Sequence, residues 1–212
     1  MDIYTKEYGL GSYIVSGVRK AKSKSLNVYR PMNIIDLVAY MPGESLARVK
    51  EAAHSVHYAQ LDREVVKASI GTFFVDLLKN SIKEKEQNEA LYNYIRETLV
   101  ALDSATHIAN LPILYCLQLS VHLGFQVRDN YDEDHPFFDL QVGQYISAIE
   151  NRKYALNDNL SKALHQLMRD PACRLDKHSR RLLLDAMMNY YRYHIEGFVE
   201  LRSLPVLRSI LS

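Results

Sequence analysis

The stretch Gly9-Leu10-Gly11-Ser12-Tyr13-Ile14-Val15-Ser16-Gly17-Val18-Arg19-Lys20-Ala21-Lys22-Ser23-Lys24 decides how the first part of this chain is read. Tyr13, Ile14, Val15 and Val18 are aromatic or β-branched and are entered through Gly9 and Gly11, which predicts a strand. Gly17 ends the run and opens a loop to Ser25 that carries bases and no acids. From Tyr8 through Ile35 there is no Asp or Glu, yet Arg19, Lys20, Lys22, Lys24 and Arg30 all fall there. The whole chain has a formal net charge of only +1, so this concentration is local. A cationic loop on a strand scaffold suits a polyanion, nucleic acid first. The same loop also reads as a solvated turn whose lysines keep a sheet edge soluble.

The flanks continue the β pattern. Met1 to Thr5 starts directly in an apolar strand pattern. Val28 to Tyr40, with Ile34, Ile35, Leu37 and Val38, predicts one bent strand, and Pro31 implies an edge or bulge near its start. Pro42-Gly43 signals a turn, and Leu46 to Ala53 a return strand. Short strands with long cationic connections predict a small, strongly curved sheet or barrel. Arg48 and Lys50 on the return strand join Arg19, Lys20, Lys22 and Lys24 as candidate phosphate contacts, ahead of Arg30. Tyr4, Tyr8 and Tyr13 could stack on bases, with at least one of them packing the barrel.

After Leu61 the apolar period changes from two to three and four. Asp62 can cap a helix whose apolar face is Val66, Ile70, Phe73, Phe74 and Leu77. Leu91, Tyr94, Ile95, Thr98, Leu99 and Leu102 repeat the theme. A third helix runs from about Leu111 to Leu123, with Asn110 near its start, Pro112 in its first turn and Gly124 as its stop. Its run Ile113-Leu114-Tyr115-Cys116-Leu117 marks it as central. Arg128 to Asp139 reads as an acidic loop, followed by a short hairpin around Gly143. Helices at about Asn159 to Met168 and Lys177 to Glu196, and a short one at Pro205, close the pattern. The predicted class is α+β: a β domain over 1–58, then a helical domain over 59–212.

Chemistry is scarce. At 212 residues with 48% hydrophobic and 24% charged residues, the chain can bury a core. It has no apolar run near the ~20 residues that span a bilayer, and a reducing cytoplasm is the simplest setting for two isolated cysteines. Cys116 and Cys173 form no Cys-x-x-Cys pair, which excludes a disulfide framework and a four-cysteine zinc site. There is no phosphate-cradling Gly-rich loop ending in Lys-Ser or Lys-Thr. His54 and His57, three apart without a carboxylate or thiol at ligand spacing, read as surface histidines. Asp129, Asp132, Glu133 and Asp134 lack the Gly and terminal Glu of a calcium loop and read as solvated. The run Met187-Met188-Asn189-Tyr190-Tyr191-Arg192-Tyr193-His194 offers aromatics and a base, but helical spacing sends some of them into a core.

Tyr4-Thr5-Lys6-Glu7-Tyr8-Gly9, followed by Ser12 through Lys24, resembles the N-terminal block of the RecO family of DNA repair proteins. That block runs Thr-x-Glu-x-Gly, then small-Gly-small-Arg, then a basic loop. Leu123-Gly124-Phe125 and the segment His194 to Leu207 are similar to the family's later motifs, and the likeness is to members from Bacteroidetes-type bacteria. The resemblance implies an N-terminal OB-fold barrel, here incomplete and starting within its second strand as in a shortened chain, and a helical domain. Many members insert a four-cysteine zinc module after the central helix. Gln126 to Ile146 holds no cysteine, so a zinc-less insertion near 126–148 is expected, with no cofactor. The resemblance further implies a non-catalytic recombination mediator that binds single- and double-stranded DNA, anneals strands, and works with RecR, and in some pathways RecF, to help RecA replace single-stranded-DNA-binding protein (SSB). Some members hold the acidic C-terminal tail of SSB with arginines where this chain has Ile113 and Leu114, so the cation expected for that tail is Arg96 or Arg128.

Overall fold

The computed structural model describes residues 1–16, 27–40, 46–83, 85–148 and 153–211. They divide into two compact units, one made of Met1–Val75 and Ile82–Ser104, the other of Asp76–Ser81 and Ala105–Ser212.

The first unit holds an open four-stranded sheet. Strands β1 (Asp2–Thr5), β2 (Gly9–Val15), β3 (Ile35–Tyr40) and β4 (Ala47–His54) lie in the order β1-β2-β4-β3. β1 pairs antiparallel with β2, β3 antiparallel with β4, and β2 parallel with β4. A Greek-key order with a single parallel pair is that of an OB-type sheet, here not closed. Alternation sends Tyr13, Ala47 and Val49 inward, where Ile3, Val15, Tyr29, Leu37, Ala39 and Ala52 pack against them. The bent strand expected over Val28 to Tyr40 is shorter. Its first half is a turn around Pro31 and Met32, and only Ile35–Tyr40 pairs. Pro31 lacks an N–H for a ladder, and Met32 takes φ 74°, which a strand excludes.

Helices α1 (Val65–Ser81) and α2 (Glu89–Ser104) follow. Ile70, Phe73, Phe74 and Leu77 of the expected α1 face are buried, whereas Val66 is half-buried. Asp62 is exposed and lies three residues before the helix, so it does not cap its first turn. The segment before α1 is instead held from α2. Asp103 accepts hydrogen bonds from the backbone N–H groups of Ala59, Gln60 and Leu61 at 2.9, 2.8 and 2.6 Å. The buried Lys67 ammonium donates to the Asp103 carbonyl at 2.7 Å and to Gln60 Oε1. Desolvation pushes the Asp103 carboxyl up, but the three N–H bonds and the Lys67 charge outweigh it and hold its pKa below the usual carboxylate range. A group with a depressed folded pKa stabilises the fold above its ordinary pKa and loses that contribution as pH falls through the folded value. Asp103→Ala is therefore expected to cost about 2 kcal/mol at neutral pH. The deficit relative to wild type should shrink in urea titrations below about pH 4; a deficit that does not vary with pH would mean that the carboxylate charge plays no part.

The second unit is helical: α3 (Leu111–His122), α4 (Asp158–Arg169), α5 (Lys177–His194) and α6 (Leu204–Leu211), with a hairpin of β5 (Phe137–Asp139) and β6 (Gln144–Ile146). α3 is central as expected, with Ile113, Tyr115, Cys116 and Leu117 buried. Gly124, at φ 83°, ends it, and the Phe125 N–H returns to Ser120 O at 3.0 Å. The Phe125 ring lies against α5, stacked on His194 and edge-on to Tyr191. Tyr190 and Tyr191 are fully buried, and Tyr191 donates to the Cys116 carbonyl at 2.8 Å, so neither ring is available to stack on a base. Burial also pushes the Cys116 thiol far up, leaving it inert.

The cysteine-free insertion is organised by polar groups. Asp129 accepts from Arg169 Nε at 2.8 Å and bonds His165 Nδ1 at 2.7 Å, while Tyr131 stacks on the His165 ring. Asn130 donates to Tyr145 O and accepts from Tyr145 N, both at 2.9 Å. Asp132 caps its own turn at Asp134 and His135. The acidic run is thus split between an anchor, Asp129, and a solvated turn. No group of three or more potential metal ligands occurs among the described residues.

Candidate nucleic-acid interface

The outer face of the open sheet carries the candidate site. β2 and β4 pair with Ile14 opposite Arg48, and β3 and β4 with Tyr40 opposite Arg48, so Ile14, Arg48 and Tyr40 form one outward row across three strands. Ile14 and Tyr40 are 39% and 58% exposed, so the row presents an apolar and an aromatic side chain on either side of Arg48.

A β-bulge enlarges this row. The register jumps from Val38–Glu51 to Ala39–Val49, which leaves Lys50 as the extra residue on β4. The inward side chains therefore switch from Ala47 and Val49 to Ala52, and Lys50 and Glu51 both point outward. The Lys50 ammonium sits 5.9 Å from the centre of the Tyr40 ring, within cation–π range. Among the described residues, Arg48 makes no hydrogen bond or ion pair, and Lys50 has only the Tyr40 ring. Two free cations flanking an exposed aromatic ring can take a phosphate and a base together.

Arg19, Lys20, Lys22 and Lys24 lie outside the described residues. β2 ends at Val15, in register with Val49 of β4. Of the tyrosines considered for stacking, Tyr13 is core, Tyr4 is half-buried with its hydroxyl 3.5 Å from Asn88 O, and Tyr8 is 60% exposed on the β1–β2 turn. Tyr40 was not expected. Its signal was the alternation of Asp36, Val38 and Tyr40 with Leu37 and Ala39, and the bulge was signalled by adjacent Lys50 and Glu51 between apolar positions. The two cations expected for an acidic tail fall in different units. Arg96 is exposed on α2, and Arg128 is exposed and donates to Gln144 Oε1 at 3.3 Å.

Comparison with known proteins places this arrangement. Residues 1–56 match the family model described as Recombination protein O N terminal, and residues 63–205 match Recombination protein O C terminal. The chain belongs to the RecO family. A protein of Flavobacterium psychrophilum called DNA repair protein RecO is 32% identical over 224 residues, covering 99% of this chain and 90% of that protein. Proteins of the same name from Christiangramia forsetii and Phocaeicola vulgatus are 31% and 28% identical, covering 98% and 100% of this chain. These organisms agree with the Bacteroidetes-type likeness seen in the sequence, and the RecO fold plan agrees with the open OB-like sheet and the helical unit. No helix of the described residues is long and apolar enough to cross a membrane.

Proposed function

We propose that this RecO-family chain serves DNA repair and recombination by gathering DNA strands through charge, without catalysis of its own. The observation that carries the reading is Arg48 and Lys50, neither with an ion-pair partner among the described residues, beside the exposed Tyr40 ring. Arg19, Lys20, Lys22, Lys24, Arg48 and Lys50 neutralise phosphates, and Tyr40 stacks on a base of single-stranded DNA. Neutralisation lets two complementary strands approach and anneal, and it applies to double-stranded DNA as well. Residues 1–58 supply this DNA-binding part. Residues 59–212 dock the protein partners: RecR, the acidic C-terminal tail of SSB, and RecF and RecA where the pathway uses them. Arg96 or Arg128 supplies the cation for the terminal carboxylate of the SSB tail. A bacterial cytoplasm, on the nucleoid, is the setting that these partners require.

The test is a filter-binding titration of single-stranded DNA over a salt series. Charge-gathering predicts an affinity that falls steeply and log-linearly with salt. No salt-dependent affinity would mean that the β unit is a protein-interaction module and that its lysines only solvate it.

A further inference from the structure

At the far end of β4 from Arg48, the first unit carries a second polar site, an open cleft in which Arg30, His57 and Asp62 are exposed. A cavity of about 190 Å³ opens beside the turn before β3, lined by Arg30 and Asn27 from that turn and by His54, His57 and Asp62 from the end of β4 and the segment after it. The two imidazole rings are 5.3 Å apart and tilted by 41°. Among the described residues, neither the Arg30 guanidinium nor either imidazole has a hydrogen-bond or ion-pair partner.

The wall is rigidly made. Asn33 Nδ2 donates to Asn27 O at 2.6 Å and to Val28 O at 3.1 Å, and Tyr58 Oη donates to Met32 O at 2.8 Å. The Ser55 N–H donates to Ile34 O at 2.9 Å. Burial keeps the Tyr58 hydroxyl protonated, so its donation stands. Met32 is held at φ 74°, a region that a side chain as large as Met rarely enters and that clusters where surrounding structure imposes it for use. These bonds fix the backbone of the turn that carries Arg30, which lines the same cavity as the two histidines.

We propose that this cavity is a phosphate subsite, holding one phosphate group between Arg30, His54 and His57. The chemistry selects the ligand. A guanidinium offers several N–H donors in a fork that matches phosphate oxygens, and an imidazole adds an N–H donor. The volume is below the range of pockets that enclose drug-sized molecules, so it seats a phosphate group and leaves any attached sugar and base outside. Asp62, exposed at the rim, opposes the anion and limits affinity. The phosphate source, a strand end or an internal linkage, rests on the nucleic-acid reading above, but the subsite itself does not.

The experiment follows the ring Cε1–H resonances of His54 and His57 by NMR in the full chain. The titrants are inorganic phosphate, thymidine 5′-monophosphate and the dinucleotide TpT. Saturable shifts of both histidines are expected with inorganic phosphate. A stronger response to thymidine 5′-monophosphate assigns a strand end, and a stronger response to TpT an internal linkage. Arg30→Gln is expected to weaken the response about tenfold, the loss of one charge-assisted contact. Asp62→Asn is expected to strengthen it, an opposite sign that general damage to the fold does not produce. The response should persist when Arg19, Lys20, Lys22 and Lys24 are alanine, so the subsite and the loop stand or fall separately. The proposal is overturned if no titrant moves these resonances saturably, or if both Arg30→Gln and Asp62→Asn leave them as in wild type.

Discussion

Changing Arg19, Lys20, Lys22 and Lys24 together to alanine is expected to lower affinity for single-stranded DNA by roughly 10²- to 10³-fold at about 0.1 M salt. The effect is electrostatic and needs only the charges. Each phosphate neutralised on a single strand releases counterion and contributes about 0.7 to the slope of log affinity against log salt. Four such contacts contribute about 3 to the slope, and over the decade from about 1 M to 0.1 M salt that slope is itself close to three powers of ten. The same variant should therefore converge on wild type as salt rises. Arg48→Ala with Lys50→Ala provides the calibration, because it removes two contacts and about half as much slope. Tyr40→Ala should act otherwise, weakening binding by a similar factor at every salt concentration, since stacking releases no counterion. If the four-fold loop variant keeps the wild-type slope, the loop is not the DNA site and the sheet face with Arg48, Lys50 and Tyr40 carries the binding alone.

The sequence made the elements legible where local chemistry dominates. Glycines bracketing a β-branched run located β2, and a three-four apolar spacing located α1, α2 and α3. It was less informative where tertiary contacts decide. The split of Val28–Tyr40 into a turn and a short strand depends on Met32 accepting φ 74° because Asn33 and Tyr58 fasten the turn, and neither partner is visible from strand propensity. Asp62 satisfied the local rule for a helix cap, but Asp103, some forty residues later, holds the segment. The spacing of His54 and His57 could not reveal that they line one cavity with Arg30, which lies more than twenty residues earlier in the chain. At the candidate interface, charge alone picked out Arg48 and Lys50. Tyr40 follows the unbroken alternation of β3, but which side of that alternation is core emerged only with the pairing register.

Gly9→Ala is expected to destabilise the first unit by about 2–4 kcal/mol, through two separable causes. The first is conformational. Gly9 sits at φ 63° at the start of β2, where a Cβ crowds the backbone and costs about 1–2 kcal/mol. The second is a close approach. A Cβ built on Gly9 would overlap the Glu86 carbonyl oxygen and lie 2.9 Å from the Lys85 oxygen. Both are main-chain atoms, which cannot swing aside as the end of a side chain can. The segment at 85–86 or the β1–β2 turn would have to move, and with it the Lys6–Glu89 ion pair at 2.9 Å. Gly124 provides the comparison, because its φ of 83° carries the same conformational cost while nothing lies within 4 Å of the added Cβ. Gly124→Ala should thus cost only about 1–2 kcal/mol. Gly9→Asn separates the causes further, since Asn tolerates the left-handed region but still carries a Cβ. If the carbonyl contact dominates, Asn at position 9 is nearly as harmful as Ala; if the backbone angle dominates, Asn recovers most of the loss. Chemical unfolding of the three variants decides it, and a Gly9→Ala cost no larger than that of Gly124→Ala would show that the turn does not rest on the 85–86 main chain in solution.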